Sequence, residues 1–443
     1  MKLALALLLN GLLLAWLLPW LRRQWRAHPA PVWRGALVLG LGLRLLVGGL
    51  GSVRLIKDAA YMSGVARLLT AQLWADPARA WQSFAGNELH FAGTGAVYYG
   101  MSNTFFLVKV LAVLNLASGG LSWANGLYLA LAAFVAGWAA ARTLARTAGA
   151  GWPAAAGLVA FLGWPSVVWF GSGVNKETAL LATGAGVLAL FLRLVYNCEN
   201  QAVTPTGWHR LGQLAALLVL AVAHFKLRYF FAAPLLALLA GLALVQGLHQ
   251  RGWLRPRWAQ ALLLLGWLGA GAGLAPELSV AFRPNKFTNQ LALIYARHLR
   301  ASANRPHFEY PALRPTPASI LQHAPVAVLN ALTRPWLGET QGRPLYVAGA
   351  LETSALVLLL VFACASAGRS AGAGLPFALR LALGIHCLLM AMLLGLSTPN
   401  LGSLARYRSA ALPFLLLLLL PPVAQVLRPG RAAKRLGQSS RLA

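Results

Sequence analysis

The run Phe105-Phe-Leu-Val-Lys109-Val-Leu-Ala-Val-Leu-Asn115-Leu-Ala117 decides how this chain threads a membrane. It is apolar but short against the roughly 20 residues a bilayer-crossing helix needs, and it carries Lys109 and Asn115. Counting it as a span would put Arg142 and Arg146 outside and invert every later loop, against the bias of Lys and Arg toward the cytoplasmic side. We therefore read it as an interfacial or half-inserted helix.

Working outward from that choice gives eleven transmembrane helices, at 3–20, 35–52, 122–142, 153–172, 178–195, 211–225, 229–247, 258–275, 345–366, 376–396 and 409–427. The expected fold is an all-α polytopic membrane protein, with one transmembrane domain over 1–427 and a basic cytoplasmic tail at 428–443. Two large outer regions, 53–121 and 276–344, interrupt the spans, and the first holds juxtamembrane helices. Met1 to Trp20 has a weakly charged amino end and no small-residue cleavage site, and Arg22-Arg23 follows. It reads as a span with its amino end outside rather than as a signal peptide.

Composition supports this class. Hydrophobic residues make up 58% of the 443, charged residues 11%, and the mean hydropathy is +0.64; soluble domains carry about a quarter charged residues. The net charge of +29 comes from 38 Lys and Arg against 9 acids. On a soluble chain such a balance would point to nucleic acid. Here the cations flank apolar runs, so they read as topology and as contacts to anionic membrane lipids, not as a nucleic-acid surface. Cys198, Cys364 and Cys387 are scattered, which indicates neither a disulfide framework nor a metal site. No cofactor is expected.

Every inner loop then carries basic residues: Arg22, Arg23, Arg26 and Arg34; Arg142 and Arg146; Arg210; Arg251, Arg255 and Arg257; Arg369; and the tail. Eight of the nine carboxylates fall at or near the outer face, leaving Glu199 inside. The topology rule counts only Lys and Arg, so this asymmetry is independent support. Arg44, within the second span, is expected to face the bundle or a wet cavity.

The outer side also holds cations the rule does not ask for: Arg54, Lys57, Lys176, Lys226, Arg228, Arg283, Lys286, Arg406 and Arg408. Several are expected in short turns between spans. Cations gathered at a membrane edge suit a lipid phosphate, with Arg forking onto its oxygens and Lys acting as a point charge. The same charges would stabilise a departing phosphate. A transfer reaction also needs a base. Asp58, in Arg54-Leu-Ile-Lys57-Asp58-Ala-Ala-Tyr61, is one of two aspartates in the chain. It lies just past a span beside two cations that favour its ionised form. The plainer reading is a helix cap. Lys176-Glu177 reads either as a turn pair or as part of a site, and Lys226 and Arg228 as anchors or phosphate ligands. Asp76 reads as a turn residue before Pro77. Glu88 and His90 share a face only on a strand.

A resemblance follows from these motifs. A span, an outer Asp58, an aromatic Tyr61 and a short apolar helix precede a span ending in Arg142. Then comes Trp164-Pro-Ser-Val-Val-Trp-Phe-Gly-Ser-Gly-Val-Asn175-Lys176-Glu177, with Lys226-Leu-Arg228-Tyr229 and Arg406-Tyr407-Arg408 further on. In this order the chain resembles the polyprenyl-phosphate-dependent integral-membrane glycosyltransferases of the GT-C fold, the group of protein mannosyltransferases and aminoarabinose transferases. Mannosyltransferases carry a paired Asp-Glu where this chain has Asp58 followed by Ala59-Ala60. The resemblance implies a sugar transferred from a polyprenyl-phosphate donor to an acceptor at the outer face of the cytoplasmic membrane. Asp58 would be the base, and Lys57, Tyr61, Lys176, Glu177, Lys226, Arg228, Arg406 and Arg408 would surround substrate. Two other readings stand beside it. One is a polymerase or ligase of lipid-linked glycans using Arg297, His298 and Arg300. The other is a lipid-phosphate transporter, which would need charges along a path through the spans.

Overall fold

The structure is a computed structural model of the chain and describes residues 1–98, 102–148, 154–196, 207–366 and 374–426. Tyr99, Cys198, Glu199, Arg369 and the basic tail 428–443 lie outside these residues. Two long apolar helices come first, α1 (Lys2–Ala27) and α2 (Pro31–Gly51), the second entered on a proline whose missing N–H costs nothing there. Next are α3 (Lys57–Ala75) and α4 (Pro77–Ala85); the Asp76 carboxylate caps α4 by accepting from Arg79 N at 3.0 Å. A hairpin of β1 (Glu88–Phe91) and β2 (Thr94–Val97) follows. It turns on Ala92 and Gly93, both at positive φ (52° and 74°), the twist that two-residue hairpin loops require. The fold-deciding run forms α5 (Asn103–Ser118), and α6 (Ser122–Thr147) follows it.

Beyond it the chain builds α7 (Ala154–Leu158), a π-helical turn (Val159–Gly163), α8 (Pro165–Phe170), α9 (Lys176–Tyr196), α10 (Gly207–Leu227), α11 (Tyr229–Gln250) and α12 (Arg257–Leu278). The remaining helices are α13 (Pro284–Arg300), α14 (Pro317–Thr333), α15 (Pro344–Ser366), α16 (Phe377–Ser397) and α17 (Leu401–Val426). Among the described residues ten helices are long and apolar enough to cross a bilayer: α1, α2, α6, α9, α10, α11, α12, α15, α16 and α17. The protein is an all-α multi-pass membrane protein, and among the described residues its one strand pair is the small hairpin.

Three local expectations are corrected. The segment expected as the fourth span is not one helix. Pro165 has no N–H to give the carbonyl of Phe161 four residues back, and the helix breaks into α7, the π turn and α8. The expected outer turn at 397–408 is mostly helix. Asn400 caps α17, its Oδ1 accepting from Ser403 N at 2.8 Å, so Arg406 and Arg408 sit in the first turns of that helix. Lys176 and Glu177 likewise begin α9 instead of forming a turn, because Asn175 Oδ1 accepts from Thr178 N at 2.7 Å.

Contacts group the described residues into two compact units: Met1–Ala141 with Phe161–Leu194 and Glu199–Ala233, and Arg142–Ala160 with Val195–Cys198 and Pro234–Ala443. In the first unit α2 and α6 meet through small residues. A Cβ on Gly126 would fall 2.4 Å from the carbonyl of Gly48 and 2.2 Å from Ser52 Oγ, the close approach on which helix pairs in lipid rely. Arg44 is fully buried, as a bundle-facing cation should be. Its Nη2 donates to Phe161 O and its Nη1 to Gly171 O, each at 2.6 Å. The helix α5 is more enclosed than an interfacial helix, with Phe105, Leu107, Val108, Leu111 and Ala112 buried. It packs most extensively on α3 and also meets α1 and α10. A polar ladder ties it down: Asn125 Nδ2 donates to Asn115 Oδ1 at 2.7 Å, and Asn115 Nδ2 to Thr70 Oγ1 at 3.1 Å.

In the second unit α14 lies against α16, where the space beside Gly395 is filled by the carbonyl of Ala327. One face of α14 (Ile320, Ala327, Ala331) is buried, while Leu321, Val326 and Leu329 stay exposed. Replacing Arg44 by Met strips the Phe161 and Gly171 carbonyls of their donor, at about 1–3 kcal/mol for each buried acceptor left bare. The expected result is a clearly lower unfolding temperature for the detergent-purified Arg44→Met protein; an unchanged one would mean the break is held by something else.

Candidate functional site

The first unit gathers several of the sequence-selected residues, and the organiser is the start of α5. Ser102 Oγ caps that helix by accepting from Phe105 N at 3.2 Å. The next two residues turn their side-chain oxygens to one ammonium: Lys176 Nζ donates to Asn103 Oδ1 and Thr104 Oγ1, both at 2.8 Å. Lys176 is thereby fixed at the head of α9. Glu177, in the first turn where a carboxylate is favoured by the helix dipole, is buried and pairs with Arg228 Nη2 at 3.1 Å. Arg228 is the single residue between α10 and α11, so both helices dictate its position. Its guanidinium also lies 5.4 Å from the ring centre of Phe231.

One turn into α5, Lys109 sits 4.6 Å from the ring centre of Phe105 and donates to the Gly86 carbonyl at 2.7 Å. Burial, and then the positive charge of Lys226, push its pKa below the ordinary lysine value. Two cations have therefore been brought within electrostatic reach of each other, which disfavours the charged form of Lys109.

The same unit contains an apolar cavity of about 700 Å³, walled by α1, α5, α6, α9 and α10. Phe106 and Val110 line it, three residues before and one after Lys109; Ala223 and Leu227 line it, three before and one after Lys226. Each lysine is thus the sequence neighbour of a wall residue without itself lining the cavity. Asn10 and Tyr128 lie along the wall, joined by a 2.7 Å bond from the Tyr128 hydroxyl to Asn10 Oδ1.

Asp58 is exposed in the first turn of α3. It is not the cap: that position is Ile56, and no side chain closes the helix end. Among the described residues it makes no hydrogen bond or ion pair. One turn on, the Tyr61 hydroxyl is 2.8 Å from that of Tyr98, and the Tyr98 ring stacks on Phe105 at 4.4 Å. Burial first, and then the Tyr61 bond, raise the Tyr98 pKa above its ordinary value, so the hydroxyl keeps its proton. A continuous run of contacts thus leads from Tyr61, one helical turn from Asp58, through Tyr98 and Phe105 to Lys109.

The other sequence-selected cations belong to the second unit. Arg408 is buried, and its donors are committed: Nη1 to the carbonyls of Ala331 (2.9 Å) and Arg334 (3.1 Å), Nη2 to Thr353 Oγ1 (2.8 Å). It closes the end of α14 instead of presenting a fork to substrate. Arg406 Nη2 donates to the Tyr407 hydroxyl at 3.0 Å. Glu88 and His90 do share a strand face, 3.2 Å apart and exposed. Among the described residues no group of three or more His, Cys, Asp or Glu is placed to hold a metal ion.

Sequence reasoning passed over Tyr98, Asn103, Thr104 and Lys109. For Lys109 a signal existed: a lysine inside an apolar run is costly unless something uses it. No family model, no curated protein and no solved structure matches this chain.

The Glu177–Arg228 pair is testable as a unit. Removing one partner from a buried pair costs about 3–5 kcal/mol. Glu177→Ala and Arg228→Ala should each be strongly destabilised, and the double variant less than their sum. Additive losses in thermal unfolding would show that the two groups are not coupled.

Proposed function

We propose that this chain is a membrane glycosyltransferase that moves a sugar from a polyprenyl-phosphate donor to an acceptor at the outer face of the cytoplasmic membrane. The observation that supports the reading is the apolar cavity of about 700 Å³ whose wall residues Val110 and Leu227 directly follow Lys109 and Lys226 in the chain, two cations close enough to feel one another's charge. Like charges are held together where an anion compensates them, and the adjoining cavity accepts a hydrocarbon chain. The complementary ligand is an amphiphile with a phosphate head and a long apolar tail.

In this reading the tail lies along α5 and α10 and the phosphate meets Lys109 and Lys226. Lys176, fixed by Asn103 and Thr104, adds positive potential nearby. Glu177 and Arg228 hold the helix ends in place. Asp58, exposed and unpaired, takes the proton of the acceptor hydroxyl as the sugar–phosphate bond breaks, and the lysines stabilise the departing phosphate. The GT-C-like arrangement follows from counting the interrupted segment 154–170 as an eleventh crossing. The first helix then runs inward, and the 53–121 region with the head of α9 faces outside.

The same cavity and cations also fit a lipid-phosphate transporter, which needs no base. Asp58→Asn separates the two. Transfer should fall by about 10²–10⁴-fold, the usual contribution of a general base, while polyprenyl-phosphate binding stays intact; unchanged turnover would remove the glycosyltransferase reading. Binding carries its own pH signature. Only the ammonium form of Lys109 attracts phosphate, and its pKa is already lowered. Affinity should therefore fall as pH rises through that lowered value. Lys109→Arg, which stays charged, should flatten the alkaline limb of a binding titration.

A further inference from the structure

The second unit contains another cavity, of about 560 Å³, polar where the first is apolar. Its size is that of a small-molecule site. Asn304, Arg305, His307, Glu339 and Gln341 line it, and the other wall residues are small: Ala303, Pro306 and Gly338.

Both walls are fixed by bonds of their own. On one side, His307 Nδ1 is 2.8 Å from the carbonyl of Arg305, and Nε2 is 3.1 Å from Glu309 Oε1. That strip is stitched to the start of α17 by Phe308 N to Pro399 O at 3.2 Å and Leu401 N to Pro306 O at 3.1 Å. Arg343 Nη2 donates to the carbonyl of Asn304 at 3.2 Å. On the other side, Glu339 is held by Arg334 and accepts from Trp336 N at 2.8 Å. Gln341 has φ of 50°, in the left-handed region that a residue with a side chain adopts only under constraint. Arg343 N to Thr340 O, at 3.0 Å, closes that turn.

The walls are thus pre-shaped, while Asn304, Arg305 and Gln341 are exposed to solvent and their side chains make no hydrogen bond among the described residues. The uncommitted groups are two carboxamides and one guanidinium. Amides serve both donors and acceptors of hydroxyl groups. A guanidinium forks onto a carboxylate. The lining offers no large apolar side chain to an apolar ligand and one uncommitted cation to an anionic one. We infer that this cavity is a binding site for an acidic saccharide, a sugar ring bearing one carboxylate, with Arg305 on the carboxylate and Asn304 and Gln341 on the hydroxyls. Its biological sense rests on the sugar-transfer reading, which calls for recognition of saccharides.

The test uses the full chain in nanodiscs, with glucuronate and glucose as probes and saturation-transfer NMR and titration as readouts. Glucuronate should bind, and bind more tightly than glucose. Arg305→Ala should weaken glucuronate by about tenfold or more, the worth of one hydrogen bond to a charged group. Gln341→Ala should weaken both sugars alike. Arg305→Lys, which keeps the charge but loses the fork, should fall between wild type and alanine and guards against misfolding of the alanine variant. No binding, equal affinity for the two sugars, or undiminished affinity in both Arg305 variants overturns the inference. Sugar binding is measured without lipid donor and in Asp58→Asn protein as well. A failed transfer reading therefore leaves the binding result standing, and failed binding leaves the transfer reading untouched.

Discussion

A guanidinium placed where a proline has removed an N–H is the contact on which the first unit depends. Pro165 leaves the Phe161 carbonyl without its helical donor, and Arg44 from α2 supplies the replacement while a second nitrogen serves Gly171. In hydrocarbon neither carbonyl could turn to water, so an interrupted helix survives only if protein groups meet its loose ends. Arg44 therefore licenses the broken segment. The break in turn allows Gly171-Ser-Gly173 to pass close to α2, where Ser52 Oγ accepts from Val174 N at 3.2 Å. Lys176 and Glu177 follow from that point.

Arg408 does the same kind of work in the second unit. It takes up the Ala331 and Arg334 carbonyls where α14 ends and links them to Thr353 of α15. Two arginines in apolar surroundings are thus spent on backbone oxygens. Five parallel donors in a planar fork suit this task better than one ammonium would. The lysines are used differently. Lys109, Lys176 and Lys226 gather around the start of α5 and the end of α10, where a compact charge on a flexible stem can meet a ligand.

The helix α5 joins the two roles. Its buried face packs on α3, its polar ladder runs to Thr70 and Asn125, and its first turn holds Lys176. Its outer residues carry Lys109 beside the apolar cavity. A helix too short to cross the bilayer alone is stable here because its neighbours enclose it.

Membrane class and the long apolar helices were legible in the sequence, because both depend on composition and on the length of apolar runs. Asp58 was legible as a rare acid beside a span, and Arg44 as a cation that had to face protein. The sequence could not show that Arg406 and Arg408 lie within α17, since the helix start depends on how Asn400 caps it. Nor could it show that Arg408 serves carbonyls while Lys109 stands by Lys226, because those partners come from segments far apart in the chain. Run lengths and residue types were decided locally. Which charges are consumed by the scaffold and which are left over was decided by tertiary packing, because a buried donor takes the nearest bare acceptor wherever the fold places it.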